Sequence, residues 1–107
     1  MKKEMESLFT IFYEACHSYF ADVRMGRDES YSKGRMDALQ KVINIAGMDM
    51  NCSTSFSYAI IAVMDEAERD DAAGDEKLSY EIVALATKAM EKAAKGGASN
   101  DNDGRVE

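Results

Sequence analysis

The most distinctive chemical feature of the chain is an acidic run at residues 65–76, DEAERDDAAGDE, which holds seven acids and one arginine. Carboxylates at helical i, i+3 spacing can hold Mg²⁺, and Asp65 and Glu68 have that spacing. A magnesium-dependent hydrolase of nucleotides on a helical scaffold also needs a second acidic pair on another helix. No other predicted helix has acids three or four residues apart, so magnesium chemistry is the least favoured interpretation.

The same run is better interpreted as a docking surface for a protein with a basic surface. Acids that crowd the C-terminal half of a helix oppose its dipole and repel each other, at about 0.2–1 kcal/mol each. Solubility alone does not require this clustering, although a solvated helix face remains the alternative. The predicted partner-binding carboxylates are those of Asp65, Glu66, Glu68, Asp70 and Asp71.

A smaller basic group lies around residues 24–35 and indicates a different function. The predicted helix that starts there offers free N–H groups, and nearby serines add hydroxyls, so a phosphate-bearing ligand such as a nucleotide is an alternative partner. Asp28 and Glu29 partly neutralise the group, and ordinary salt bridging is the simpler interpretation. The predicted ligand-binding residues are Arg24, Arg27, Lys33 and Arg35.

The residues that most often carry catalysis are few. His17 is the only histidine, and the two cysteines are Cys16 and Cys52, with no CxxC spacing. Neighbouring residues on a helix point about 100° apart, so Cys16 and His17 do not converge. We therefore expect a structural His17, no catalytic residues, no metal site and no cofactor, which indicates a protein that is not an enzyme.

Length, charge and apolar runs narrow the possible classes of protein and partner. A chain of 107 residues is expected to form one domain. Its net charge of −7 argues against direct nucleic-acid binding, which needs clustered Lys and Arg. The longest fully apolar run, residues 58–64, is too short to span a membrane, and no secretory signal is recognisable. The two cysteines also show no disulfide or metal-binding spacing, and these features together predict a cytoplasmic protein.

The periodicity of apolar residues predicts an all-α protein, a small bundle of about four helices. The expected helices cover residues 3–25, 30–46 and 76–94, with a third helix between them that follows its cap and runs to residue 72; Gly26, Gly47 and Gly74 lie at the ends of the first three. Ser53 or Thr54 is expected to cap the third helix and Asp75 the fourth. Residues 1–95 form the predicted bundle domain, and the polar, glycine-rich segment 96–107 is predicted to be a disordered tail.

The first and third helices have wider apolar faces than the others and are expected to form the centre. Residues 5–23 carry five of the nine aromatics, and Ile11, Tyr13 and Ala15 extend the apolar face. The segment 56–64 is apolar nearly all round and is expected to be buried. Since a monomer of this size does not readily cover both faces, we predict a homodimer or higher oligomer. In the second helix, Val42 is assigned to the core, and Gly34 is expected to permit tight packing.

These observations favour a small, acidic, non-enzymatic binding protein that acts by protein–protein contact. Regulators or inhibitors of this kind are common among phage and mobile-element products. An oligomeric binder of a small phosphate-bearing ligand is the alternative.

Overall fold

The computed structural model describes residues 2–97, whose regular structure is entirely helical. Helix α1 spans Lys3–Arg24, α2 Ser30–Asp49, α3 Ser53–Ala73 and α4 Ser79–Lys92, and a π-helical turn, Ala93–Gly97, follows α4. This confirms the predicted small all-α bundle. The tail predicted for residues 96–107 lies outside the described residues, except for 96 and 97 in the π-helical turn. Within residues 2–97, no helix combines the length and apolar character needed to cross a membrane.

Helices α1 and α3 form the centre of the bundle, as predicted, because each packs against the other three helices. Tyr13 and Ala15, which widen the apolar face of α1, are almost completely buried. Neighbours within one chain thus explain most of the width of this face, whereas Ile11, the third residue that widens it, is 38% exposed. The fully or nearly fully buried residues of α1 are Met5, Phe9, Phe12, Tyr13, Ala15 and Cys16.

Glycines mark two of the three predicted helix ends. Gly26 and Gly74 have φ angles of 68° and 75°, as expected for residues that follow a helix in the left-handed conformation. The prediction for Gly47 is wrong, because α2 continues to Asp49. Gly47 instead lets α3 come close: a β-carbon at this position would lie 3.1 Å from Cβ of Phe56. The expectation of tight packing at Gly34 is also wrong, since a β-carbon there would meet nothing within 4 Å.

The starts of α3 and α4 differ from the predictions. Cys52, and neither Ser53 nor Thr54, precedes the first residue of α3, and no side chain caps that end. Helix α4 begins at Ser79, later than expected, because the backbone of Leu78 is extended, and Leu78, not Asp75, precedes its first residue. The Leu78 N–H donates to Oε1 of Glu81 at 2.8 Å, which satisfies a backbone donor at the helix start.

Some residues assigned to the core are exposed. Val42 on α2 is 46% exposed, and Tyr58 and Ile61 on α3 are 38% and 59% exposed. Helix α3 is therefore not buried all round as predicted: it packs on α1, α2 and α4 with one side and turns the other to solvent. These exposed apolar side chains become candidates for binding surfaces.

Candidate binding surfaces

The acidic run does not form a single exposed patch. Asp65 and Glu68 are exposed, whereas Asp70 and Asp71 are only 4% and 5% exposed. Because successive residues of a helix point in different directions, a run of consecutive acids is distributed around the helix. The prediction that all five carboxylates form one solvent-facing surface is therefore wrong, because two of them are buried.

Asp70 lies at the centre of a buried hydrogen-bonded network that joins α1, α3 and the α3–α4 connection. The Tyr13 hydroxyl donates to Oδ2 of Asp70 at 2.7 Å, and the backbone N–H of Lys77 donates to that hydroxyl at 2.8 Å. Nζ of Lys77 donates to the other carboxylate oxygen of Asp70 at 3.1 Å. Both oxygens of Asp70 are thus occupied within the chain, which leaves them unavailable to a partner.

The pKa values of this network follow from burial and hydrogen bonding. Burial opposes the charged form of Asp70, but the hydrogen bonds from Tyr13 and Lys77 outweigh it and lower the pKa of Asp70 below its usual value. Burial, together with the hydrogen bond to Asp70, raises the pKa of Tyr13. Asp70 is therefore ionised and Tyr13 neutral at pH 7, the protonation states that the network requires.

Asp71 forms a two-point ion pair with Arg24 of α1. Nε of Arg24 donates to Oδ2 of Asp71 at 2.9 Å, and a terminal guanidinium nitrogen donates to Oδ1 at 3.0 Å. This fork geometry gives the stronger kind of charge-assisted hydrogen bond. The bond from Arg24 lowers the pKa of Asp71. Arg24 and Asp71, each predicted to meet an external partner, therefore bind each other.

Glu66, the remaining member of the predicted partner-binding set, is half-buried and has two cationic neighbours. Its carboxylate lies 2.9 Å from Arg69 and 3.0 Å from Nζ of Lys77. Its charge is consequently balanced within the chain. Of the five predicted carboxylates, Asp65 and Glu68 remain exposed and make no salt bridge with another residue of the described range.

These two acids belong to a longer exposed stripe on α3. Steps of four, three, four and three residues place its members on one face of the helix. The apolar half of the stripe was missed because Tyr58 and Ile61 read as core residues. The signal that could have identified them is their helical spacing from Asp65, which places them on the same face as the exposed acids. The outer stripe of α3 consists of Thr54, Tyr58, Ile61, Asp65 and Glu68.

The basic group around the first turn is largely neutralised by neighbouring acids. Besides the Arg24 pair, Arg27 lies 2.9 Å from Asp22, and Lys33 lies 2.9 Å from Asp37. Asp22 also accepts a 2.7 Å hydrogen bond from the Ser32 hydroxyl, which joins the end of α1 to the start of α2. These pairings are ordinary salt bridges within the chain, and they lend no support to an anion-binding site.

The fourth base of that group, Arg35, has an aromatic neighbour instead. Its guanidinium carbon lies 6.0 Å from the centre of the Tyr31 ring, and Arg35 itself is partly exposed. A guanidinium over an aromatic face at this distance gains a modest cation–π attraction. Arg35 is thus the member of the group whose charge no carboxylate of residues 2–97 neutralises.

The histidine and the cysteines have structural environments. Nε2 of His17 lies 2.8 Å from the carbonyl oxygen of Asp75, which can only accept, so the proton is on Nε2. His17 thereby holds the α3–α4 connection against α1. Burial raises the pKa of the Cys16 thiol to about 12, which keeps it protonated and unreactive. Across residues 2–97, no three His, Cys, Asp or Glu side chains are grouped as metal ligands.

Comparisons of the chain with protein-family models, with curated proteins and with solved structures found no match. The surfaces described above are consequently the basis for any inference about function.

Proposed function

We propose that this protein is a small, non-enzymatic regulator or inhibitor that binds a basic protein segment on the outer stripe of α3. The observation that carries the proposal is the composition of that stripe. Tyr58 and Ile61 expose apolar surface directly beside Asp65 and Glu68, whose charges are not balanced by a salt bridge within the described range. A partner that offers both apolar and basic side chains matches both halves.

The two halves of the stripe contribute differently to binding. Burial of Tyr58 and Ile61 supplies affinity, at about 25 cal/mol for each Å² of apolar surface removed from water. The carboxylates attract and orient a partner that carries Lys or Arg, and they disfavour acidic competitors. The stripe extends over residues 54–68, roughly 21 Å along the helix at 1.5 Å per residue. That length suits an amphipathic basic helix of about four turns.

Charge on the rest of the molecule supports the same class of partner. Asp75 and Glu76, just after α3, are exposed, and the whole chain carries a net charge of −7. This balance attracts basic proteins and repels nucleic acids and anionic membrane surfaces. We also infer a reducing compartment such as the cytoplasm, because Cys16 and Cys52 are both free thiols. Small acidic regulators of phage and mobile elements are the functional type that this combination resembles most.

Charge reversal on the stripe tests the proposal. The probe is a fluorescent amphipathic peptide with Lys and Leu at helical spacing, and binding is followed by anisotropy. Asp65→Lys combined with Glu68→Lys is expected to weaken binding by at least about tenfold, a loss of about 1.4 kcal/mol. The matched control combines Glu14→Lys with Glu91→Lys, which changes the same charge at exposed positions on α1 and α4.

The control separates a specific site from general attraction to an acidic protein. If both double variants weaken binding equally, the peptide responds to net charge and the outer stripe of α3 is not the site. Tyr58→Ala combined with Ile61→Ala should weaken binding while preserving its salt dependence, since it removes apolar contact and no charge. Affinity purification from host cells with the same variants then identifies the natural partner.

A further inference from the structure

A second exposed stripe lies on α2 and is different in character. Its members follow each other in steps of four and three residues, the spacing of a helix that pairs lengthwise with another helix. Tyr31 is 78% exposed, Val42 46% and Ile45 53%, and Ala38 lies between them on the same face. The outer stripe of α2 consists of Tyr31, Arg35, Ala38, Val42, Ile45 and Asp49.

No element of residues 2–97 covers this stripe. Helix α2 packs on α1 and α3 through its opposite side, where Met36, Ile43 and Gly47 are buried. Val42 and Ile45 are β-branched and apolar, and their exposure leaves a continuous apolar centre in the stripe. Such a centre is typical of a helix face that meets another protein surface.

The order of residues along the stripe makes it complementary to itself. Arg35 lies seven residues before Val42, and Asp49 lies seven residues after it. When two copies of α2 pair antiparallel about a two-fold axis near Val42, Arg35 of each copy faces Asp49 of the other. Ala38, four residues before Val42, then lies within one residue of the level of Ile45, three residues after it, so that a small side chain accommodates a large one. An interface of this isologous kind uses every contact twice.

We propose that a second copy of this chain covers the outer stripe of α2 and forms a two-fold symmetric, antiparallel α2–α2 dimer. A parallel pairing would instead place Arg35 beside Arg35 and Asp49 beside Asp49. The stripe carries one charge of each sign, unlike the acidic stripe of α3, so it does not select a basic partner. The dimer leaves α3 free and is independent of the function proposed above.

The oligomeric state and one matched pair of substitutions test the dimer. In sedimentation equilibrium, the wild-type chain is expected to dimerise, and Ile45→Glu is expected to raise the dimer dissociation constant by at least about tenfold. Ile61→Glu is the control, because it places the same charge at a similarly exposed isoleucine on α3. A wild-type chain that stays monomeric up to millimolar concentration, or equal effects of the two substitutions, would overturn the proposal.

Charge exchange tests the antiparallel register. Arg35→Glu alone and Asp49→Lys alone should each weaken the dimer, because each places two like charges together across the interface. The combined variant should recover most of the wild-type dissociation constant. Failure of the combination to recover would reject the Arg35–Asp49 pairing.

A cysteine at the axis gives a third readout that does not depend on affinity. In a Cys52→Ser background, Val42→Cys should form a disulfide between copies under mild oxidation, because the two β-carbons meet near the axis. The control is Ser18→Cys, at an exposed position on α1. Equal cross-linking of the two variants, or none at position 42, would exclude a two-fold axis near Val42.

Discussion

The polar network around Tyr13 shows how single residues join distant parts of the chain. Tyr13 is 1% exposed, and its hydroxyl both donates to Asp70 and accepts from the backbone N–H of Lys77. Tyr13→Phe keeps the ring but removes the hydrogen bond donated to the buried Asp70 and the one accepted from the part-buried N–H of Lys77. We expect the free energy of unfolding to fall by about 1–3 kcal/mol, measured by urea denaturation at pH 7.

An exposed tyrosine provides the comparison for this substitution. Tyr80 is 71% exposed, and Tyr80→Phe should change the free energy of unfolding by less than about 0.5 kcal/mol. Similar losses in the two variants would mean that the Tyr13 hydroxyl contributes nothing specific.

The ionised state of Asp71 makes stability depend on pH in a definite direction. Its pKa is lowered in the folded chain by Arg24, so the unfolded chain binds more protons in acid. The contribution of Asp71 is complete above the unfolded pKa of about 3.9 and is lost as the pH falls through the folded pKa. The difference in unfolding free energy between wild type and Asp71→Asn should therefore stay constant from pH 7 to about pH 5 and shrink as the pH falls from about 4 through the lowered folded pKa.

This dependence separates the ion pair from simple packing. A difference that stays constant over the same pH range would show that Asp71→Asn acts by shape and not by charge. Urea denaturation of both proteins at several pH values measures it directly.

The roles of these acids could not be predicted from the sequence. Tyr13 and Asp70 lie 57 residues apart in the chain, and Arg24 and Asp71 lie 47 apart. Local charge patterning identifies an acidic run but contains no information on which members of the run face distant tyrosines or arginines. The exposed pair, Asp65 and Glu68, was among the predicted partner-binding residues, but its exposed apolar neighbours on α3 were not.

At the scale of the helices, the sequence was most informative where apolar spacing repeats over several turns. The starts of α1 and α2 were predicted to the residue, since periodicity and charge both mark them. The end of α2 was missed because a glycine near a helix end resembles a terminator, whereas Gly47 is needed for contact with Phe56. Exposure of Val42 and Ile61 was also missed, because spacing alone cannot distinguish a core face from a binding face.

The two glycines of α2 give opposite predictions for the same substitution. Gly47→Ala should lower the free energy of unfolding by about 1–3 kcal/mol, because its β-carbon would crowd the Phe56 side chain. Gly34→Ala, which has open space around it, should raise it by about 0.5–1 kcal/mol through helix propensity alone.

Urea denaturation at one fixed protein concentration measures both changes and keeps any contribution from self-association constant. Destabilisation by Gly34→Ala would show that its surroundings are occupied in solution, as they would be inside an oligomer interface. A neutral Gly47→Ala would show that Phe56 can move away.

For the whole molecule, the two proposals assign different roles to the two stripes: assembly to the stripe on α2 and partner binding to the stripe on α3. The stripe on α2 is balanced in charge and self-complementary, whereas the stripe on α3 has two acids that form no salt bridge within residues 2–97. A two-fold dimer through α2 therefore presents two copies of the α3 stripe. Binding to a partner that is itself repeated or clustered then becomes bivalent, which raises apparent affinity without any new contact.

The combination of a dimer with two α3 stripes predicts how the density of immobilised peptide on a sensor surface affects dissociation. On a surface densely coated with the basic peptide, the wild-type dimer should dissociate at least about tenfold more slowly than the Ile45→Glu variant, because both α3 stripes engage. On a sparse surface, where one stripe binds at a time, the two proteins should dissociate at the same rate. Asp65→Lys with Glu68→Lys should weaken binding by at least about tenfold at both densities. A density effect that persists in Ile45→Glu would mean that the paired stripes arise through another surface, since that variant lacks the apolar centre of α2.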